Sequence, residues 1–362
     1  MSIDPEKLEQ IEQIVAQSTV EDLQREGLKE YVEPWEDGYR THDHPLNTFE
    51  WWYLDADLED GSSTVIVFNT KPHTHPQGPL APSVGFLWRH PDGKREQLSD
   101  KRTPEEFSAS TEGCEVHIGP SWLKGDLNHY EMHTETEGVT ADFVFQRGSP
   151  SWRPGAAKTY LDKAKTHYFA WVVPVPYGTV EGTITRDGKT IAMKGTGYHD
   201  HNWGNILLNG MYDHWYWGRA HVGDYSVIYV QITTLHILGG IKLPVFYLAK
   251  GDKILIGDGL PLSLITDEFV KDEASGRSYP TKLDFDWHRE QYGSVHLTIR
   301  HPQIIGTLDL LDSVPRWERP LIHLFSNPHY FDFEADMNLT VDLQQDKSQV
   351  NGHTIYELML LR

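Results

Sequence analysis

The sequence predicts an all-β protein: two tandem antiparallel β domains preceded by a helical arm. From about residue 48 the apolar residues alternate with polar ones at period two, as in half-buried strands. Turn signals recur between those runs, at Asp60-Gly61, Asp92-Gly93, Glu137-Gly138, Asp187-Gly188, Gly223-Asp224, Gly251-Asp252 and Asn351-Gly352. Such pairs close hairpins because both central residues of a type I′ turn need positive φ. No long helical pattern separates the runs, so parallel βαβ units are excluded and antiparallel barrels or sandwiches remain.

Taken in order, residues 1–44 make the arm. Within it residues 4–30 predict helix. Asp4 caps, Pro5 suits the first turn, and Leu8, Ile11, Ile14, Val15, Leu23 and Leu28 give an apolar stripe broken near Ser18-Thr19. Strand patterns follow over 64–68, 141–146, 179–185, 226–233, 295–299 and 354–361. Single cores stop growing near about 250–300 residues, so a chain of 362 divides. The first domain is predicted over 45–207 and the second over 208–362, parted where Gly204, Asn205, Asn209 and Gly210 weaken regular structure. Pro- and Gly-rich loops at 71–82 and 148–155 are long enough to serve as lids.

The net charge of −21 excludes nucleic acid as a partner, because phosphate binding needs clustered Lys and Arg. No basic leader with an apolar core opens the sequence, and no run approaches about 18 apolar residues. No stable membrane insertion is expected. The lone Cys114 forms no disulfide within the chain and fits a reducing, cytoplasmic setting, where it reads as a small buried hydrophobe. The aromatic load is high, with 12 Trp, 17 Tyr and 13 Phe, more rings than a core alone asks for. Trp122, Trp152, Trp287 and Trp317 are assigned to that core.

Functional groups concentrate in three stretches: Phe49-Glu50-Trp51-Trp52-Tyr53, Gly197-Tyr198-His199-Asp200-His201-Asn202-Trp203-Gly204, and Asp213-His214-Trp215-Tyr216-Trp217. They are expected to line one pocket. On a strand, Glu50, Trp52, Leu54, Ala56 and Leu58 share a face that is apolar but for Glu50. A carboxyl beside Trp and Leu is desolvated, which raises its pKa and keeps it protonated as an acid. The structural alternative is a buried Glu that fastens the sheet. In the central stretch, strict alternation from Ile191 and Met193 puts His199, His201 and Trp203 on the apolar face. A bulge at Gly195 or Gly197 would invert this and turn Tyr198 and Asp200 inward. Alternation alone leaves both faces open. Asp200, tuned by Tyr198 or His201, is a candidate acid or base; its alternative is a hydrogen-bonded turn. Trp51, Tyr53, Trp171, Asn202, Trp215 and Trp217 are candidate walls for an apolar ligand, and aromatic faces stabilise positive charge. His199-x-His201 and His73-x-His75 raise a metal reading, completed by Glu50. Among 20 His such pairs arise by chance, and no His-x-x-x-His or Cys pair supports them, so no metal or other cofactor is assigned. Nucleotide loops and the Gly-x-Ser-x-Gly elbow are missing from the sequence.

The first two stretches together resemble the lipocalin-like family of carotenoid 1,2-hydratases (hydroxyneurosporene synthases) and AttH-type proteins, and Gly352-His353-Thr354-Ile355-Tyr356-Glu357 is similar to how those chains end. The resemblance covers residues 45–362. It implies two tandem calycin-like β domains with a ligand pocket near their junction, and cofactor-free chemistry on large apolar substrates. Relatives include hydratases and fungal cyclases that catalyse Diels–Alder reactions, while others carry lipids. In the hydratases an acidic residue of the central motif is held to protonate an alkene. The matching position is Asp200, with Tyr198 two residues before it, and this favours the inverted face. The expected function is therefore hydration, cyclisation or isomerisation of a terpenoid, polyene or polyketide. The alternatives are a lipid or pigment carrier and, third, a metal-dependent enzyme. The choice between Glu50 and Asp200 as the acid stays open, as does the oligomeric state.

Overall fold

The computed structural model describes residues 15–16, 19–162, 164–309 and 328–362. Residues 4–14 and 17–18 of the expected helix 4–30, and Trp317, lie outside the described residues. Within them the arm is not one helix. Val15–Ala16 is a short strand paired with Lys158–Tyr160, and a two-turn helix spans Val20–Glu26. Thr19 is its N-cap, bonded reciprocally with Asp22, and Gly27 closes it in the left-handed conformation. Thr19, at the break in the stripe, is thus where this helix starts.

The chain divides into two compact units, residues 1–208 with 251–253, and residues 209–250 with 254–362. The first is built on one long antiparallel sheet. Its strands run in the order Arg95–Lys101, Ser83–Arg89, Ser63–Asn69, Phe49–Leu58, Lys189–Gly204, Tyr168–Arg186, Val139–Arg147, His129–Thr136, Ser121–Gly125, Cys114–Ile118, Phe107–Ala109. The sheet curls so that one face closes on itself. Trp52, Leu54 and Ile66 from one half share a buried core with Val116, Met132 and Phe143 from the other. Side chains of this size contribute about 1.5–3 kcal/mol each on full burial. The hairpin turns form as predicted at Glu137-Gly138 (φ 45° and 81°) and Asp187-Gly188 (φ 52° and 75°).

The second unit holds a nine-stranded antiparallel sheet, in the order Lys253–Ile256, Lys242–Lys250, Tyr225–Thr234, Tyr212–Val222, Asp346–Leu360, His329–Leu343, Gly293–Asp309, Ser278–Arg289, Leu262–Lys271. Its core includes Tyr216, Phe285, Trp287, Phe333 and Tyr356. One predicted turn is corrected here. Asn351-Gly352 lies inside the strand Asp346–Leu360, and the chain reverses at residues 344–345 instead. Gly352 is needed for close packing, since a Cβ there would fall 2.6 Å from Val222 Cγ2.

The two Pro/Gly loops are tied down and do not have the look of open lids. Lys71 is fully buried, and its ammonium donates to the carbonyls of Pro45, Pro76 and Gly78, knotting the 71–82 loop. In the 148–155 loop, Trp152 exchanges both backbone hydrogen bonds with Val173, and Arg153 pairs with buried Glu36 at 3.1 Å. Among the described residues no helix is long and apolar enough to cross a membrane.

Candidate functional site

The site is set by how two neighbouring strands register. Phe49–Leu58 and Lys189–Gly204 pair without interruption, His201 opposite Trp52, Asp200 opposite Tyr53, Asn202 opposite Trp51 and Trp203 opposite Glu50. The bulges that could have inverted the faces are on the other neighbour. Tyr168–Arg186 shifts register between Val172 and Val175 and again before Gly178. Pro174 and Pro176 stand there, residues that have no N–H for the ladder and so collect at irregularities. Gly195 and Gly197 keep their strand regular. A Cβ on Gly197 would fall 2.6 Å from the Phe145 ring, so that glycine makes room for the core. Alternation therefore holds through the motif, and it separates the predicted residues into two groups.

On the inner face, Glu50, Trp52, His199, His201 and Trp203 meet Asp37, which comes from the short 3-10 turn Pro34–Asp37 ahead of the sheet. Asp37, Glu50, His199 and His201 are all fully buried. His201 Nε2 lies 2.7 Å from Glu50 Oε1 and its Nδ1 3.4 Å from Asp37 Oδ1. Burial alone would push this ring's pKa down, but the two carboxylates outweigh it and hold the pKa above its ordinary value. Trp52 stacks on the imidazole at 4.6 Å and 13°, a geometry that favours the cation. Glu50 accepts the backbone N–H groups of Arg40 at 2.8 Å and Thr41 at 2.9 Å. These contacts match the structural alternative read from the sequence: Glu50 fastens the 37–41 segment to the sheet. His199 presents Nδ1 to the Tyr53 carbonyl at 2.8 Å and Nε2 to Asp37 Oδ2 at 3.1 Å. Tyr130 donates its hydroxyl to the same Asp37 oxygen at 2.6 Å. Burial would raise the Asp37 pKa, yet the His199 and His201 rings bring it well below the usual carboxylate range. Cys114 Sγ completes a group with Asp37 and His199 whose donor atoms lie within 4.8 Å of one another. Burial and the Asp37 charge push its thiol well up. Asp37 Oδ2 and both nitrogens of His199 make hydrogen bonds within the protein, while the buried Asp37 Oδ1 has no hydrogen-bond partner.

On the opposite face, Trp51, Tyr53, Trp171, Tyr198, Asp200 and Asn202 come together. Asp200 is 7% exposed. Its Oδ2 accepts the Trp171 indole N–H and the Tyr198 hydroxyl, both at 2.8 Å, and its Oδ1 accepts the Asn202 amide at 2.7 Å. Burial pushes this carboxyl from the usual 3.8 to about 6, although those three donors and His199 pull the other way. Tyr198 is fully buried, and burial together with the Asp200 charge pushes its hydroxyl well up, so it stays a donor. Tyr53 meets the Tyr198 ring edge-on at 6.2 Å. Trp152, assigned to ordinary core from the sequence, stands edge-on to Trp171 at 5.8 Å and 81° and fixes the indole that reaches Asp200. Trp51 stacks with Phe49 at 5.5 Å, and His73 of the knotted loop lies 5.7 Å from the Trp51 ring.

The predicted residues thus separate by face. Asp200, Tyr198, Asn202, Trp51, Tyr53 and Trp171 gather on one side of the sheet, while Glu50, His201, Trp52 and Trp203 build its back. Trp215 and Trp217 belong to the second unit. There they are half-buried beside buried Arg219, on the side of the strand turned from that unit's core, and Trp215 donates to Glu357 at 2.8 Å. Sequence reasoning missed Asp37 and Tyr130. Asp37 precedes the first long strand and carries no periodic signal.

A model of the Svf1 family matches residues 86–361. The quinolone epoxide rearrangement protein of Penicillium thymicola is 26% identical over 217 residues, 51% of this chain and 56% of that protein. Hydroxyneurosporene dehydrogenase of Chlorobaculum tepidum is 27% identical over 220 residues, again 51% and 56%. The chain thus spans little more than half the length of these curated relatives. Among solved structures, an AttH protein from Nitrosomonas europaea superposes with a TM-score of 0.60 at 17% identity, covering 91% of this chain and 97% of that one. Kievitone hydratase from Nectria haematococca gives 0.54 at 13% identity, covering 97% of each. The fold is accordingly lipocalin-like, and the resemblance read from the two motifs holds.

Proposed function

The chain belongs to the Svf1 family, and from that premise we propose that it is an enzyme of lyase or isomerase type, needing no cofactor, that acts on a large hydrophobic terpenoid, polyene or polyketide. The observation that carries this is the Asp200 carboxyl, buried among neutral donors and titrating at about 6. At pH 7 such a group is protonated in roughly one molecule in ten. A carboxyl at 3.8 would be protonated in fewer than about one in a thousand. Burial therefore raises the population of the acid form about 150-fold while leaving it strong enough to donate.

Asp200 gives its proton to an alkene carbon, or to an epoxide or carbonyl oxygen. The carboxylate left behind is held by the Trp171 N–H, the Tyr198 O–H and the Asn202 N–H, which are in place before the reaction and need no reorganisation. Trp51, Tyr53 and Trp171 shield the cation, each face contributing about 0.5–2 kcal/mol. Attack by water, whose extra proton returns to the Asp200 carboxylate, gives hydration; attack by an internal alkene, followed by loss of a proton from the new cation to Asp200, gives cyclisation; and loss of a neighbouring proton to Asp200 with no attack gives isomerisation. A positioned acid accounts for about 10²–10⁴-fold in rate, and holding the substrate in a reactive conformation supplies up to about 7–11 kcal/mol more. Glu50 and His201 hold the strand from behind and do not touch the substrate. The names of the relatives, one an epoxide rearrangement and one concerning hydroxyneurosporene, support an apolar substrate with an acid-sensitive group.

The test is to incubate purified protein with an apolar extract of source cells lacking the gene and to follow the products by liquid chromatography and mass spectrometry. A product heavier by one water (about 18 Da) marks a hydratase, and one of unchanged mass but new retention marks a cyclase or isomerase. Asp200→Asn is expected to lower turnover at least about 100-fold. Recovery of a bound lipid or pigment unchanged, with no product, would leave the carrier reading and end the enzyme one.

A further inference from the structure

Gly85 sits inside the strand Ser83–Arg89, in a run otherwise suited to a sheet, Ser-Val-Gly-Phe-Leu-Trp-Arg. A glycine inside a strand weakens it, and it marks a bulge, a close approach of backbone or the approach of a ligand. There is no bulge: the pairing is regular on both sides, with Val67 opposite on one neighbour and Ser99 on the other. There is no close approach either, because a Cβ added at Gly85 would meet nothing within 4 Å. Every other described glycine with such room has positive φ, a backbone reason to lack a side chain, and Gly85 does not. Space is therefore kept open over this strand.

That space adjoins the site. The register sets Asp200, Tyr53, Val67 and Gly85 side by side in one row across four strands, on the face that carries the acid. Three strand spacings, about 14 Å, separate the ends of the row. Trp51 lies on one flank of it, Val65 and Leu87 on the other, and all are half-buried. This apolar outward patch is exceptional in its sheet. Elsewhere the outward residues are polar, as on an antiparallel sheet with one solvated face: Glu131, His133 and Glu135 on one strand, Arg95, Gln97 and Ser99 on another. Polar residues also border the patch, Asn69 and Ser83 on one side, Ser63 and Arg89 on the other. It is long across the strands and narrow along them.

We propose that this row is a chain-binding track and that Gly85 is a specificity-determining residue. The reacting end of the substrate meets Asp200, and an extended apolar chain runs from there across the strands, over Tyr53 and Val67, to Gly85. This rests on the face of Asp200 being the working one, and the continuity of the row with the acid is what assigns its occupant. A narrow patch between polar borders fits an elongated chain, isoprenoid or acyl, and does not fit a compact ring system. The missing side chain at Gly85 lets the chain continue where any larger residue would stand in its path. Exposed Ser99, next in the row, ends the apolar stretch. Each methylene taken from water raises affinity about fourfold, so chain length reads out directly as affinity.

The experiment measures binding of geraniol, farnesol and geranylgeraniol, isoprenoid alcohols of increasing length, to the full chain by tryptophan fluorescence. In the wild type affinity is expected to rise along the series. Gly85→Phe places a ring in the open space with no strain on the backbone. It is expected to weaken geranylgeraniol at least about tenfold and to change geraniol, too short to reach Gly85, less than about twofold. 1-Octadecanol, run in parallel, separates the two sources: a loss for it and not for geranylgeraniol would mark the chain as acyl. Val67→Asn, polar in the middle of the row, should likewise weaken the long alcohols more than geraniol, and it decides the matter should Gly85→Phe fail to fold. Affinity that does not rise with length in the wild type would overturn the proposal. So would variants that weaken every alcohol alike, or none. Because no turnover is read, failure here is distinct from failure of Asp200 as the acid, which an active Asp200→Asn would show.

Discussion

Asp200→Asn should make the protein more stable at alkaline pH while abolishing the proposed chemistry. The carboxyl titrates at about 6 in the fold against 3.8 in an unfolded chain. A group that binds its proton more tightly when folded adds stability only below its unfolded pKa. That contribution is lost as pH rises through the folded value. At pH 8 the folded chain must hold a buried carboxylate, and the difference of about two pH units corresponds to about 3 kcal/mol. Asparagine removes the charge and keeps the shape. Its carbonyl can take the Trp171 and Tyr198 donors, and its amide can donate to a flipped Asn202 side chain. Urea unfolding of both proteins at pH 4 and pH 8 measures this. The variant should gain up to about 3 kcal/mol relative to wild type between the two conditions, because the wild type alone bears the penalty at pH 8. A variant equally destabilised at both pH values would refute the reasoning, since it would mean that the carboxylate is not strained by burial.

Other expectations follow from the same contacts. Tyr198→Phe removes one of three hydrogen bonds to the Asp200 carboxylate, and at about 1–1.5 kcal/mol per bond the midpoint should rise by about one pH unit, read by carboxyl NMR. Glu50→Gln leaves His201 facing Asp37 alone and weakens the hold on the Arg40 and Thr41 amides, so it should cost about 3–5 kcal/mol in chemical denaturation. Lys71→Met strands the carbonyls of Pro45, Pro76 and Gly78 and should open the 71–82 loop, seen as new proteolytic cleavage within it while the core strands stay protected.

The strands were legible because a half-buried sheet writes its period into the sequence, and Asp-Gly or Glu-Gly pairs mark where it turns. Asn351-Gly352 misled because its glycine serves contact with Val222 inside a strand, while the turn at Gln344-Gln345 has no glycine to announce it. The two site strands were legible as stretches dense in functional groups. The facing of the motif was not. It depended on where a neighbouring strand bulges, and the prolines that mark the place, Pro174 and Pro176, lie more than twenty residues from Asp200. The contacts of Glu50 were hidden for a related reason. Its partners are the backbone amides of Arg40 and Thr41 and a histidine 151 residues away, none of which a local pattern encodes. Asp37 was invisible because an irregular segment before the first long strand gives no periodicity, and only the fold carries it against His199 and His201.

The central claim is that burial raises the Asp200 pKa enough to keep a usable fraction of the acid form near neutral pH, and the most direct measurement is the pH titration of its side-chain carbon by ¹³C NMR in the wild-type protein. The account predicts a midpoint near 6. A midpoint at or below 4 would contradict it, because Asp200 would then be a carboxylate throughout the working range with no proton to give.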